Sequence, residues 1–447
     1  MRPLIKTLFL FFVLLTNAYP QASWSAITGA PSGPRHDDIT FINKRVGWAV
    51  NGSGQIWRTI NGGDNWVKLY DNSKIYFRSI GFADSLHGWV GNLGTEEFGG
   101  QTDTNILFST TNGGLNWTPV NNFIGPKPRG ICGLQVIDAQ NIVAAGRVRG
   151  PNHFIRSTDG GISWMVSDVG HIFKSLIDVH FFTPDSGFLI GGDGAPNDSS
   201  RGIIAFTSDG GFSWETKIVT SRKGEWCWKI DFPTRKTGYV SLQRNRASAV
   251  NFLKTTDGGM TWTEKPLSTF HYYVQGIGFA NENLGWVGGN TTYPCYETTD
   301  GGETWHAAGF GARVNRFWMI DDSTGYAGGS TIYRYSSSSV TSADETHEDI
   351  SARITLSQNY PNPFGSEGGS QSTIIKFSVP WQTDPNQLIR IRVFDLLGRE
   401  VKMLIEEVKE PGEYSVQFDS DGLASGVYYY TLESGRYTIT KKFNITK

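Results

Sequence analysis

Six short stretches set an acid or amide beside two glycines: TINGGDNW (59–66), TTNGGLNW (110–117), STDGGISW (157–164), TSDGGFSW (207–214), TTDGGMTW (255–262) and TTDGGETW (298–305). A carboxylate next to glycines is the raw material of a metal or phosphate loop, since the backbone can bend around an ion that the acid ligates. Repetition argues against that chemistry: six identical catalytic sites in one chain would be hard to explain, whereas six identical turns are ordinary. The key positions Asn61, Asn112, Asp159, Asp209, Asp257 and Asp300 recur roughly every 43 to 51 residues, the period of propeller blades. Each stretch then reads as a tight turn between strands. Its acid or amide accepts backbone N–H bonds, its glycines supply positive φ, and its Trp opens the next strand with a large buried ring. No metal site and no cofactor is expected.

The segments joining successive repeats offer a second chemistry. They read YDNSKIYFRS, NNFIGPKPRG, VGHIFKSL, VTSRKGEWCW, STFHYYVQ and GFGARVNRF, and each carries a basic residue or a histidine. The candidate binding residues are Arg78, Arg129, Lys174, Arg222, His271, Tyr272, Arg313 and Arg316, accompanied by Tyr76, Trp226 and Tyr273 and by Arg147, Arg149, Arg244 and Arg246 in nearby loops. Guanidinium groups beside aromatic rings suit carboxylate, sulfate or sugar-acid ligands, through bidentate hydrogen bonds and stacking. Arg78, Arg129 and Arg313 are expected to face solvent, where salt screens them in part. The alternative is that each basic residue simply caps a solvated loop. A glycosidase would instead need two carboxylates roughly 5 to 9.5 Å apart. Glu96, Glu97, Asp193, Glu225 and Asp231 are the acids available on the expected face, and the sequence does not pair them.

These groups need a scaffold, and composition says which kind. The 447 residues include 54 Gly, 15 Trp, 17 Tyr and 27 Phe with 18% charged residues, the profile of an all-β chain rich in turns and aromatic strands. A formal net charge of -2 provides no global attraction to nucleic acid or membrane, so no nucleic-acid partner is expected. Between the boxes runs a second repeated element: GWAV, GWVG, IVAAG, GFLIGG, GYVS, GWVGG and GYAGG, seven copies in all. Their small residues suit inner strands crowded near a central axis. The seventh unit (314–335) stops before a box, while ASWSAITG (22–29) looks like the Trp-led strand that follows every box. Letting that N-terminal strand complete the last blade removes both open edges. The expected fold is a seven-bladed β-propeller over residues 22–335, followed by a small antiparallel β-sandwich.

The flanks bound the route of the chain. Residues 1–21, with Arg2, Lys6, an apolar run and small residues near Ala18, have the layout of a cleaved secretory signal. A polar tract without aromatics (336–353) reads as a flexible linker. Residues 354–447 contain NYPNPF, TIIKFSV, IRIRVFDLLGREV, GEYSVQFD and GVYYYTLESGRYTITKKFNI, whose alternation predicts the sandwich. Cys132, Cys227 and Cys295 match no metal spacing and are expected to be buried, with at most one disulfide.

Family resemblances follow from these motifs. The six boxes resemble the Asp-box, or BNR, repeats of sialidase-like propellers, where the box lies away from the active face; that likeness implies scaffold. The opening Arg-Ile-Pro-type motif of sialidases is not found in this sequence. Boxes and GW-containing strands together resemble the photosystem II stability and assembly factors, seven-bladed propellers with an arginine-rich face and no catalysis, and also the propellers of xyloglucan-degrading enzymes. The NPF opening, VFDLLGREV, the LASGVYYYTL block and the basic KKFNITK ending resemble the type A C-terminal sorting domain of type IX secretion. These likenesses imply a noncatalytic binding propeller carried from the periplasm through the outer membrane by the type IX machinery, then secreted or held at the outer cell surface. An anionic glycan or a surface protein is the expected ligand. A secreted glycoside hydrolase, sialidase-like or xyloglucanase-like, is the alternative.

Overall fold

The computed structural model describes residues 23–95, 101–194, 198–337, 355–365, 370–379, 388–396, 399–409, 412–434 and 437–447. The signal-like segment, Glu96 and Glu97, and most of the expected linker lie outside the described residues. The chain divides into two compact units, 1–340 and 341–447. Among the described residues, the regular structure of both consists of strands, with no helix.

The first unit is a seven-bladed propeller. The first strands of blades 1 to 7 are His36–Phe41, Phe77–Phe82, Gly133–Val136, Ser175–Phe181, Glu225–Asp231, Val274–Phe279 and Arg316–Asp321. Each lies against the first strand of the next blade, and the seventh returns to the first. Every blade continues outward antiparallel through a second, third and fourth strand. Blade 3 gains a short parallel strand, Phe123–Ile124, on its outer edge. The glycine-led elements are therefore second strands rather than the axial strands the sequence implied. Their glycines have another cause: a Cβ on Gly47, Gly88, Gly187, Gly238 or Gly285 would lie within 2.6 Å of the ring of Phe41, Phe82, Phe181, Phe232 or Phe279. Those phenylalanines close the first strands, and several stack on the aromatic of the preceding blade, as Phe82 does on Trp48 (3.5 Å) and Phe279 on Tyr239 (3.6 Å).

The ring closes as expected. Ser23–Ala26 pairs antiparallel with Ile332–Ser336, from Ser23 opposite Ser336 to Ala26 opposite Tyr333. Ser336, assigned to the linker from sequence, thus belongs to this blade. Trp24 is the anchor of the joint: it is buried and stacks on Phe310 at 4.9 Å, with Trp286, Phe317 and Tyr335 around it.

Each box turn is held by its own side chains. In TTDGGMTW, Thr255 Oγ1 accepts the Gly259 N–H (2.9 Å), Asp257 Oδ1 accepts the Thr261 N–H (3.0 Å), and the Thr261 hydroxyl donates to Asp257 Oδ2 (2.6 Å). The boxes built on Asn61 and Asn112 put Asn65 and Asn116 where the four aspartate boxes have Ser or Thr. An amide has one acceptor oxygen, so no hydroxyl is needed there. The boxes also latch neighbouring blades: Gly62 O accepts from the Tyr326 hydroxyl (2.9 Å), Gly113 O from Trp48 Nε1 (3.0 Å) and Gly210 O from Arg156 (2.9 Å).

The second unit is a two-sheet sandwich, one sheet holding Thr355–Leu356, Ser372–Val379 and Gly412–Asp419, the other Glu400–Val408, Leu388–Phe394, Gly426–Ser434 and Tyr437–Ile445. Ile375, Phe377, Ile389, Ile391, Tyr430, Leu432 and Phe443 alternate inward to form its core. The NPF opening has a structural task. Phe364 is buried in that core, and Asn359 Nδ2 donates to Thr373 Oγ1 (2.9 Å).

The box geometry yields a stability prediction. Hydrogen bonds from the Thr261 hydroxyl, then from its backbone N–H, lower the Asp257 carboxyl to about 2. A depressed carboxyl stabilises the fold above its unfolded value near 4, and that contribution fades as pH falls toward 2. Asp257→Ala should cost about 0.5–2 kcal/mol near neutral pH, by analogy with side-chain caps. In urea titrations the gap to wild type should narrow in acid.

Candidate functional site

In such blades the box turns and the first-to-second turns share one face, as the Gly258 N–H bond to Lys236 O (2.8 Å) illustrates. Blade junctions and second-to-third loops share the other face. The central channel opens toward both. On the junction face lies a cavity of about 480 Å³ lined by Arg35, Asp37, Tyr76, Arg78, Arg149, Trp226, Trp228, Gln243, Tyr273, Gln275, Asn290 and Arg313, with Pro34, Gly52, Ser53 and Val148. Among the described residues, four guanidiniums and four aromatic rings thus surround a single carboxylate.

A repeated irregularity aims these groups inward. Pairing between first and second strands skips Asp37 in blade 1, Arg78 in blade 2, Ile177 in blade 4, Trp228 and Lys229 in blade 5, and Gln275 and Gly276 in blade 6. A β-bulge adds a residue and redirects a side chain. Here it turns polar groups of the innermost strands toward the axis.

The cavity floor is a charge network. Asp37 pairs with both Arg35 and Arg78, and Arg35 also donates to Gln275 Oε1. Burial pushes the Asp37 carboxyl up, but Arg35 and Arg78 outweigh it and hold the group below the usual carboxylate range. Burial likewise raises the Tyr76 hydroxyl to about 12, reinforced by Asp37. The Arg78 guanidinium lies 5.0 Å over the Trp228 ring, and Trp228 Nε1 donates to Asn315 Oδ1 (2.8 Å). Gln275 Nε2 donates to Gln243 Oε1 (2.6 Å), and Gln243 Nε2 reaches the Tyr273 hydroxyl (3.3 Å). Trp226 Nε1 is buried and has no hydrogen-bond partner among the described residues.

The sequence candidates divide sharply. Arg78 and Arg313 line the cavity, but only Arg313 is exposed; Arg78 is 1% exposed, which corrects the expectation that it faces solvent. Arg316 lies deeper in the channel, bonded to Asp38 (2.7 Å) and Asp178 (3.0 Å), and borders the cavity on the box face. Tyr272 is buried, its hydroxyl donating to Pro294 O (3.2 Å). Arg222 is half-buried between Glu225 (3.1 Å) and Ala249 O (3.1 Å). Arg129, Lys174 and His271 are exposed rim residues outside the cavity, and Lys174 is tied to Gly170 O (2.5 Å). Arg35 was missed. It precedes blade 1, the position a junction residue holds once the ring is closed, so counting seven junctions instead of six would have found it.

Of the acids considered for glycoside cleavage, the three among the described residues do not gather here. Asp193 pairs with Arg201, Glu225 is buried between Arg222 and Arg244, and Asp231 opens onto the box-face cavity. Burial lifts Asp231 to about 6, against the pull of the Phe279 N–H. Among the described residues no cluster of acids, cysteines and histidines could hold a metal ion.

Comparison with known proteins agrees with this architecture. Residues 358–446 match the model of a secretion system C-terminal sorting domain, and residues 296–307 match the BNR/Asp-box repeat. The C-terminal segment thus matches a sorting domain, and the chain resembles BNR-repeat propellers. It resembles the photosystem II assembly factors: the photosystem II assembly lipoprotein Ycf48 of Synechococcus sp. (strain CC9902) is 30% identical over 138 residues, which span 30% of this chain and 36% of that relative. Among solved structures, YCF48 bound to a D1 peptide superposes with a TM-score of 0.52 at 17% identity, over 70% of this chain and 96% of that one. YCF48 from Cyanidioschyzon merolae gives 0.52 at 17% identity, over 70% and 98%. An ancestral GH74 enzyme gives 0.50 at 12% identity, over 94% of this chain and 63% of the enzyme. At such identities the shared property is the fold. The sorting tail marks the propeller for type IX secretion to the cell surface or extracellular space.

Burial separates two roles at the site. Arg313→Ser should leave unfolding within about 0.5 kcal/mol of wild type, as an exposed substitution does. Arg78→Ser breaks a buried ion pair and should cost about 3–5 kcal/mol. Parallel thermal and urea denaturation of the two variants checks the division.

Proposed function

We propose that the protein is a noncatalytic binding propeller whose channel mouth captures an anionic ligand outside the cell. One observation supports the reading: four arginines from separate junctions and loops converge on a cavity that, among the described residues, has one carboxylate, engaged by Arg35 and Arg78. The low-dielectric walls focus that excess positive charge over the opening. An entering carboxylate or sulfate would meet the exposed guanidiniums of Arg149 and Arg313 at the rim. In this reading residues 22–335 bind, and residues 354–447 deliver the chain through the periplasm to the secretion machinery. The ligand is an anionic glycan or an acidic segment of a surface protein.

Titration of the full mature chain with acidic polysaccharides should show affinity that falls as salt rises and drops further in Arg313→Ser. Affinity indifferent to salt and to Arg313 would refute the reading. Removal of residues 354–447 should leave a folded propeller in the periplasm. Normal surface delivery of that truncated chain, scored by fractionation, would refute the assignment of its carrier role.

A further inference from the structure

A second, shallower cavity of about 410 Å³ lies beside the mouth, lined by His271, Tyr272, Tyr273, Asn290, Thr291 and Tyr293. Tyr273 and Asn290 belong to both cavities. The two are thus one continuous surface with a cationic end and an aromatic end.

The wall between them is rigid. Asn290 N–H donates to Tyr273 O (2.9 Å), Arg313 N–H donates to Thr291 O (2.8 Å), and the Tyr293 N–H donates to Thr291 Oγ1 (3.1 Å). The buried Tyr272 pins the far end of the same loop through Pro294 O. Arg313 Nε reaches Asn290 Oδ1 (3.5 Å), which links the loop to the charged mouth. On this frame Tyr293 remains 65% exposed, a large ring turned largely to solvent. His271 stands edge-on to Tyr273 at 5.8 Å and hydrogen-bonds Arg244 O (3.1 Å).

We propose that this aromatic cavity is a sugar subsite, and that the ligand of the mouth is an acidic oligosaccharide bound across both cavities. The assignment rests on the anion-binding reading of the mouth and adds its ligand class. A pyranose has an apolar face of C–H groups and an equatorial belt of hydroxyls. An exposed Tyr ring offers the first a flat apolar partner, and the Asn290 amide, the Thr291 hydroxyl and the His271 ring supply bonds to the second. A bare inorganic anion would use none of these. An acidic sugar one residue along the chain from a neutral or second acidic ring uses both ends at once.

The test titrates the full mature chain with galacturonate, guluronate and glucuronate as monosaccharides and as short oligomers. Affinity should rise on going from monomer to oligomer for at least one series. Tyr293→Ala should remove about five- to tenfold of that gain, the loss of one aromatic contact, and leave monosaccharide affinity unchanged. Tyr293→Phe should restore it, and Arg313→Ser should weaken monomer and oligomer alike. Tyr293 is exposed, so its variants should melt as wild type does. Monomer binding without a length gain, or a gain indifferent to Tyr293, would overturn the sugar subsite and leave the anion site standing. Binding of neither monomer nor oligomer would overturn both. An acidic peptide with the same Tyr293 dependence and no oligouronate binding would overturn the ligand class.

Discussion

Closure of the ring is the constraint on which everything else depends. Blade 7 has three strands of its own, and the fourth, Ser23–Ala26, comes from the opposite end of the propeller sequence. Without it the third strand of blade 7 would expose a row of unpaired backbone groups. Trp24 fills the space between blades 6 and 7, in one cluster with Trp286, Phe317 and Tyr335. Closure also places Arg35, just beyond that strand in sequence, against Gln275 of blade 6. The channel mouth exists only in the closed ring.

Polar side chains then stitch the first strands around the axis. Asp38 Oδ2 accepts the Ile80 N–H (2.9 Å), Asp231 Oδ2 accepts the Phe279 N–H (2.8 Å), and Asn315 Nδ2 donates to Asp37 O (2.6 Å), each bond crossing from one blade to the next. Arg316 spans the channel between Asp38 of blade 1 and Asp178 of blade 4, where Lys229 also lies 3.4 Å from Asp178. Charges paired in this way satisfy one another inside the channel, at a desolvation cost that buried ion pairs seldom recover in full. Their contribution is to fix the relative position of blades. Arg149 and Arg313 lie at the rim and are exposed, whereas the charges of this layer are internal.

The fold was legible because its signals are local and repeated. A box needs only its own residues to form, so six copies announced six turns, and the missing seventh box together with a stray Trp-led strand announced the clasp. The C-terminal strands were legible from strict alternation, as in STIIKFSV with Ile375, Phe377 and Val379 inward. The site was legible only in outline. Basic junctions could be read from composition, but alternation cannot say which side chains turn inward when a bulge shifts the register at Arg78 or Gln275. Hence Arg78, expected to face solvent, and Arg316, a candidate binding residue, proved to be internal partners of aspartates. The glycine-led strands misled for a related reason: Gly47 and its equivalents are small to admit a phenylalanine ring, a contact made across a turn and invisible to a periodicity count.

In the proposed reading, ligand engages the junction face of the channel. Hydrogen exchange of the full mature chain, with and without a saturating acidic oligosaccharide, tests it most directly, because it locates the contact without any substitution. Protection should appear in the loops that carry Arg35, Arg149, Asn290 and Arg313, while the six box turns and the C-terminal sandwich keep their free rates. Protection confined to the box turns or to the sandwich would contradict the account.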